Sequence, residues 1–197
     1  MTAAVTALRR AGRGKVAVEL DGSPWRVLPL EAVLASGVTV GTPLDRPRAR
    51  RLRAELRRVE ARDVALSALA RRDHTAAMLR GRLDAVGIAP VDRDATLAAL
   101  ERSGLVDDVR VARTRAAALA ARGAGNGMIR DDLERRGLPG EVVDDAIASL
   151  EPELERARRL VRPAGGARRD ARRLVARGFD EDVVAAVIAP CAETELG

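Results

Sequence analysis

A leucine followed four residues later by a glycine occurs three times in comparable surroundings: Leu83 with Gly87, Leu133 with Gly137, and Leu174 with Gly178. A glycine just past an apolar helical position is a helix stop, because it takes positive φ without a Cβ penalty. Aligning the three stops brings other positions into register. Ile88, Leu138 and Phe179 follow the glycines directly, and Leu69, Leu119 and Leu160 lie fourteen residues before each aligned leucine. Leu97, Ile147 and Ile188 lie ten residues beyond the glycines, and Leu100, Leu150 and Cys191 thirteen beyond. The copies are 50 and 41 residues apart, which is a spacing of helical repeats.

Each copy reads as three helices. The first carries Leu66 and Leu69, Ala116 and Leu119, or Ala157 and Leu160, three apart on one face. The second ends at the leucine–glycine stop, and the third carries the two downstream apolar positions. A unit this small cannot bury its apolar stripe alone, so neighbours must complete the core. The expected fold class is mainly α: tandem three-helix repeats in an elongated curved array, with a small β-hairpin-containing N-terminal module. The expected divisions are a β-containing module over 1–44, a basic helical connector over 45–62, and repeats over 63–103, 104–151 and 152–197. Asp107 stands where a helix N-cap belongs, with its carboxylate at the positive end of the dipole.

The first 44 residues lack the repeat pattern. Val16, Val18 and Leu20 alternate on one strand face, and Asp21-Gly22 is a hairpin turn signal. Trp25 to Leu28 can return as a second strand, with Pro24 confining it to an edge or a strand start. Glu31 to Ser36 suggests a short helix closed near Gly37. Trp25 is assigned to the core of this module rather than to a base-stacking surface.

Charge is unevenly placed. Residues 1–62 hold 13 basic and 6 acidic side chains, residues 63–150 hold 13 and 14, and residues 151–197 hold 9 and 9, so the positive excess is N-terminal. Codon bias toward arginine does not predict that asymmetry. Leu52, Leu56 and Val59 define an apolar helix face, surrounded by Arg46, Arg48, Arg50, Arg51, Arg53, Arg57 and Arg58. A second basic stretch holds Arg156, Arg158, Arg159, Arg162, Arg168, Arg169, Arg172 and Arg173, opposed within it only by Asp170. Such runs either form solvated helix faces or meet a polyanion, meaning phosphate backbone or an acidic protein surface.

The residues offer no catalytic constellation. Gly12-Arg13-Gly14-Lys15 lacks phosphate-loop spacing and precedes a strand where that motif needs a helix. His74 is the only histidine and Cys191 the only cysteine, so a histidine metal cluster, a cysteine zinc site and an intramolecular disulfide are excluded. His74 is expected to be a partly exposed helix residue. The pairs Asp107-Asp108, Asp131-Asp132 and Asp144-Asp145 fit caps and helix-face partners better than a metal site, Asp131 pairing with Arg135 at i,i+4. Gly123, Gly125 and Gly127 fit a helix–helix turn whose flexibility would let adjacent repeats pivot. Single-strand recognition usually stacks bases on aromatic rings. Trp25 and Phe179 are the only aromatics, so nucleic-acid contact should be electrostatic and backbone-directed. No segment approaches the apolar length of a membrane span or a signal peptide. A cytoplasmic monomer without cofactor is expected.

Several motifs together carry a resemblance. Gly104-Leu105-Val106-Asp107-Asp108, the turn Gly123-Ala124-Gly125-Asn126-Gly127 before Met128-Ile129, Leu133-Glu134-Arg135-Arg136-Gly137-Leu138, and Arg177-Gly178-Phe179-Asp180 resemble the RecX family. It extends over roughly Asp63 to Pro190. The family regulates the RecA recombinase. The resemblance implies a non-enzymatic protein whose array lies in the groove of a RecA filament on DNA and inhibits strand exchange, ATP hydrolysis and coprotease activity. Arg50, Arg51, Arg53, Arg57, Arg58, Arg158, Arg159, Arg169, Arg172 and Arg173 are then the candidate contacts to RecA and to the DNA phosphate backbone. The alternatives are an electrostatic DNA-binding repeat protein and a general protein-interaction scaffold.

Overall fold

The computed structural model describes residues 2–161 and 166–194, with side chains as far as residue 189. It contains three strands, β1 (Val5–Arg10), β2 (Lys15–Leu20) and β3 (Ser23–Pro29), followed by helices. The helices are α1 (Leu30–Ser36), α2 (Arg46–Leu69), α3 (Ala76–Ala85), α4 (Pro90–Arg102), α5 (Asp108–Ala121), α6 (Asn126–Arg135), α7 (Gly140–Ala148), α8 (Glu153–Arg158), α9 (Ala167–Ala176) and α10 (Glu181–Thr194). They divide into two compact units: residues 1–72 with 80–102, and residues 73–79 with 103–197.

In the first unit the strands form an antiparallel sheet in the order β1-β2-β3. Val16, Val18 and Leu28 turn inward with Val5 and meet Val33 of α1 and Leu52 of α2, with Leu20 and Leu56 packed at the margin. One face of each strand is thus buried, as the alternation of β2 requires. Gly37 closes α1 at φ 71°. The first strand was not expected from the sequence: only Val5 of its residues is fully buried, which leaves little apolar alternation to read. Asp45 caps α2, its carboxylate accepting from the Arg48 N–H at 2.9 Å, and Pro47 sits in the first turn. From there one helix continues unbroken to Leu69.

The repeats are helix triplets, and their aligned residues form cores. Leu83, Leu133 and Leu174 are fully buried, and Ile88, Leu138 and Phe179 nearly so. Gly87, Gly137 and Gly178 hold φ of 78°, 73° and 77°, as a helix stop demands. Ile129, Leu133, Leu138 and Val143 centre the second triplet, and Leu174, Phe179, Val184 and Val187 the third. Asp107 caps α5 through the Arg110 N–H at 2.9 Å.

Within the second unit, one joint is made twice. The Ala76 N–H at the start of α3 donates to Asp108, the first residue of α5, at 2.9 Å. The Asn126 N–H at the start of α6 donates to Glu153, the first residue of α8, at 2.6 Å. Thr75 Oγ1 donates to the Arg136 carbonyl at 2.7 Å. In the other copy the Gly125 and Gly127 N–H groups donate to the carbonyls of Arg177 and Gly178 at 2.8 and 2.9 Å. Each joint gives an orphan N–H at a helix start to a carboxylate, and it fills an open carbonyl at a helix end with a hydroxyl in the first copy and with backbone N–H groups in the second.

Several expectations are corrected. Gly123, Gly125 and Gly127 are not a pivot: a Cβ on Gly125 would stand 2.3 Å from the backbone of Gly178 and Phe179, so glycine is there for close backbone approach. His74 lies before α3, outside any helix, and is buried, because the segment that holds it joins the core of the second unit. Leu66 is exposed. Ala61, Ala65 and Ala68 form the buried stripe of α2 instead, since small side chains admit closer packing. Arg135 donates to the Asp131 carbonyl, not to its carboxylate. Trp25 is 40% exposed rather than in the core. Val18 pairs with Arg26 and Glu19 with Pro24, which leaves Trp25 as the extra residue of a β-bulge, on the side of β3 opposite the buried Leu28. Arg162 and the segment beginning at Pro163 lie outside the described residues, as does the side chain of Cys191.

Candidate partner-binding surfaces

The arginines of α2 separate into two groups. Leu52, Val59, Ala61, Ala65 and Ala68 commit one side of the helix to the interior. Arg50, Arg51 and Arg53 are thereby turned to solvent and make no ion pair or hydrogen bond among the described residues. Arg57 and Arg58 are exposed but engaged. Arg57 Nε meets Asp92 Oδ2 of α4 at 2.8 Å, and Arg58 Nη1 meets Glu55 Oε1 at 2.6 Å. The Asp92 side chain is only 8% exposed, so Arg57 neutralises a nearly buried carboxylate.

The third triplet divides in the same way. On α9, Leu174 and Asp170 face inward and Arg169 and Arg172 face outward without partners among the described residues. Arg173 pairs with Asp170 at 3.1 Å and also donates to the Leu160 carbonyl. Arg158 pairs with Glu155 at 2.7 Å, and Arg159 with Glu151. Of the ten arginines singled out in the sequence, Arg50, Arg51, Arg53, Arg169 and Arg172 keep a guanidinium uncommitted among the described residues.

Arg156 leaves the basic patch altogether. It is buried at 6% exposure, where its guanidinium donates to the carbonyls of Ala124 at 2.7 Å and Glu151 at 3.1 Å and to Asn126 Oδ1. Its Cζ lies 6.0 Å from the centre of the Phe179 ring. Burial pulls its pKa below the ordinary arginine value, against the raising effect of Glu153 and Glu151. Asp132 has a comparable structural role. Arg115 holds both of its oxygens at 2.8 and 2.9 Å and Arg136 adds a bond at 2.8 Å. Its carboxyl is thereby held well below the usual carboxylate range, chiefly by the Arg115 hydrogen bonds.

A further surface escaped the sequence reading. Trp25 at 40% and Val27 at 55% exposure lie on β3, with Arg26 Cζ 5.8 Å from the Trp25 ring centre. Nothing in one sequence marks a bulge, and a lone tryptophan in a strand reads by default as core. Beside the sheet, Leu30, Leu34, Ala35 and Val59 floor an open cavity of about 790 Å³ edged by Arg13 and Lys15. Among the described residues no group of three or more His, Cys, Asp or Glu is placed to hold a metal. No described helix is long and apolar enough to cross a membrane.

No family model matches the chain. A protein of Chromohalobacter salexigens named regulatory protein RecX is 37% identical to it over 132 residues, 62% of this chain and 87% of that relative. The chain belongs to the RecX family. A RecX relative from Halorhodospira halophila is 35% identical over 144 residues, 68% of this chain and 89% of its own. Another, from Trichlorobacter lovleyi, is 32% identical over 135 residues, 61% and 88%. A crystal structure of regulatory protein RecX matches the fold with a TM-score of 0.78 at 20% identity, covering 94% of this chain and 98% of the other. RecX from Lactobacillus salivarius matches with a TM-score of 0.62 at 15% identity, covering 69% and 97%. The fold of this chain is therefore shared with a solved RecX structure over nearly its whole length.

Proposed function

We propose that this chain is a cytoplasmic, non-enzymatic regulator that binds the RecA–DNA filament and inhibits its recombinase, ATPase and coprotease activities. The observation that carries this reading is membership of the RecX family, whose relatives are named as regulatory proteins. The absence of a catalytic set in the sequence agrees with it. The contacts are assigned to the uncommitted arginines, Arg50, Arg51 and Arg53 on α2 and Arg169 and Arg172 on α9, which face acidic protein surface or DNA phosphate. Arg57, Arg58, Arg158, Arg159 and Arg173 already hold carboxylates and act mainly by placing those helices. A filament repeats its subunits, so engagement of one cluster raises the effective concentration of the other and weak contacts act together.

The test is charge reversal of each cluster, R50E/R51E/R53E and R169E/R172E, followed by RecA ATP turnover on single-stranded DNA. Each variant should lose inhibition, and the loss should shrink as salt rises. Unchanged inhibition by both removes the electrostatic contact, and no inhibition by the unmodified chain removes the filament reading. The second reading, an electrostatic DNA-binding protein, rests on the same free arginines. Tight binding to duplex DNA without RecA, with a steep negative salt slope and lost in R50E/R51E/R53E or R169E/R172E, would favour it.

A further inference from the structure

The exposure of Trp25 needs an explanation. An aromatic side chain of this size is normally buried in a small module, and here the chain spends its one tryptophan on the surface. Trp25 stands at a register shift of the sheet, opposite the step from Val18 to Glu19, and bulges are over-represented beside functional sites. Arg26 lies against the ring, and Val27 beside it is also open to solvent.

Positive charge predominates around this surface, with Asp21 at the hairpin turn as the charge set against it. Glu19 is satisfied by Arg9 at 3.0 Å, and Asp21 accepts from the Ala4 N–H at 2.8 Å. Arg10, Arg13, Lys15 and Arg26 make no ion pair among the described residues. Lys15 pairs with Pro29 across the sheet, so it stands at the far end of β3 from Trp25. At the strand rise the separation along β3 is roughly 13 Å. A mainly cationic strip with an exposed indole at one end suits a polymer that alternates negative charge with flat rings. A purely acidic protein surface would use the cations and leave the indole without purpose.

We propose that the three-stranded sheet binds single-stranded nucleic acid along β3. One base stacks on Trp25, while Arg26 beside the ring and Lys15 and Arg13 near the first turn hold phosphates. The site needs no filament and is separate from the arginines of α2 and α9.

Because Trp25 is the only tryptophan, its emission reports this site alone. The experiment titrates the full chain, without RecA, with a thymidine oligonucleotide, an abasic oligonucleotide of equal length, a duplex and polyglutamate. Trp25 emission should be quenched by the thymidine strand and little affected by the others. By anisotropy with a labelled strand, W25A should bind about tenfold more weakly with an unchanged salt slope, whereas W25F should keep most of the affinity. K15E/R26E should bind more weakly and flatten the salt slope by about 2. Absence of binding overturns the proposal, as does binding that leaves Trp25 emission unchanged. Equal affinity for the abasic strand or for polyglutamate also overturns it, by reducing the site to a cationic patch. None of these outcomes touches inhibition of the filament, so the two readings fail separately.

Discussion

Gly125→Ala is the sharpest test of the joint between the second and third triplets. Gly125 has φ −79° and ψ 171°, a conformation alanine adopts freely, so backbone strain plays no part. The added methyl would instead stand 2.3 Å from Gly178 C and Phe179 N and 2.4 Å from Gly178 O. Backbone cannot step aside as a side-chain tip can, so the helix ends must separate. Overpacking of this kind costs about 1–3 kcal/mol. The separation also lengthens the hydrogen bonds from Gly125 to Arg177 and from Gly127 to Gly178, now 2.8 and 2.9 Å, each worth about 1 kcal/mol. A loss of about 3 kcal/mol follows, a large part of a domain's stability of roughly 5–15 kcal/mol. The control is Gly140→Ala in the same unit, where nothing lies within 4 Å of the new methyl. That change should stabilise by about 0.4–1 kcal/mol, through the unfolded chain. Urea denaturation of both variants, with amide exchange read on α6 and α9, gives the comparison. A midpoint for Gly125→Ala equal to or above that of Gly140→Ala would refute the backbone-clash reasoning.

Three further outcomes are expected. Arg156→Ala leaves the carbonyls of Ala124 and Glu151 and the amide of Asn126 without their donor, and should cost about 3 kcal/mol in a denaturant titration. Arg156→Lys should recover little of that loss, because an ammonium cannot reproduce the planar fork. Asp132→Asn tests the pH dependence. A carboxyl whose folded pKa lies below the unfolded value of about 3.9 contributes stability that is fully present above that pH and is lost as pH falls toward the folded value. The stability gap between the unmodified chain and D132N should therefore be constant above about pH 5 and close progressively below about pH 4. A gap independent of pH down to the acid transition would show that the Arg115 and Arg136 bonds do not depend on the charge of Asp132.

The sequence was informative where a local rule carries the structure. Leu133 with Gly137, and its two counterparts, announced the triplets because a positive φ after an apolar turn is a requirement of one short stretch of backbone. Asp107 announced its helix for the same reason, since a cap needs only the next three residues. The inward face of β2 followed from simple alternation at Val16 and Val18. The arginine runs were visible too, but only as runs: which guanidinium stays free depends on carboxylates brought in from elsewhere, as Asp92 reaches Arg57 from another helix. Arg156 shows the limit most clearly. In the chain it is one of several neighbouring arginines, yet the fold buries it because the carbonyls of Ala124 and Glu151 need a donor. Gly125 could be read as a turn residue, whereas its true constraint, the backbone of Gly178, lies 53 positions away. Trp25 was assigned to the core and emerged at the surface, because the core takes Leu28 from β3 and the strand's alternation leaves Val27 and Trp25 on the other side. Periodicity and chain stops are local and so were written in the sequence. Burial of a charge, close approach of two backbones and the facing of one indole depend on distant partners, and only the tertiary structure supplies them.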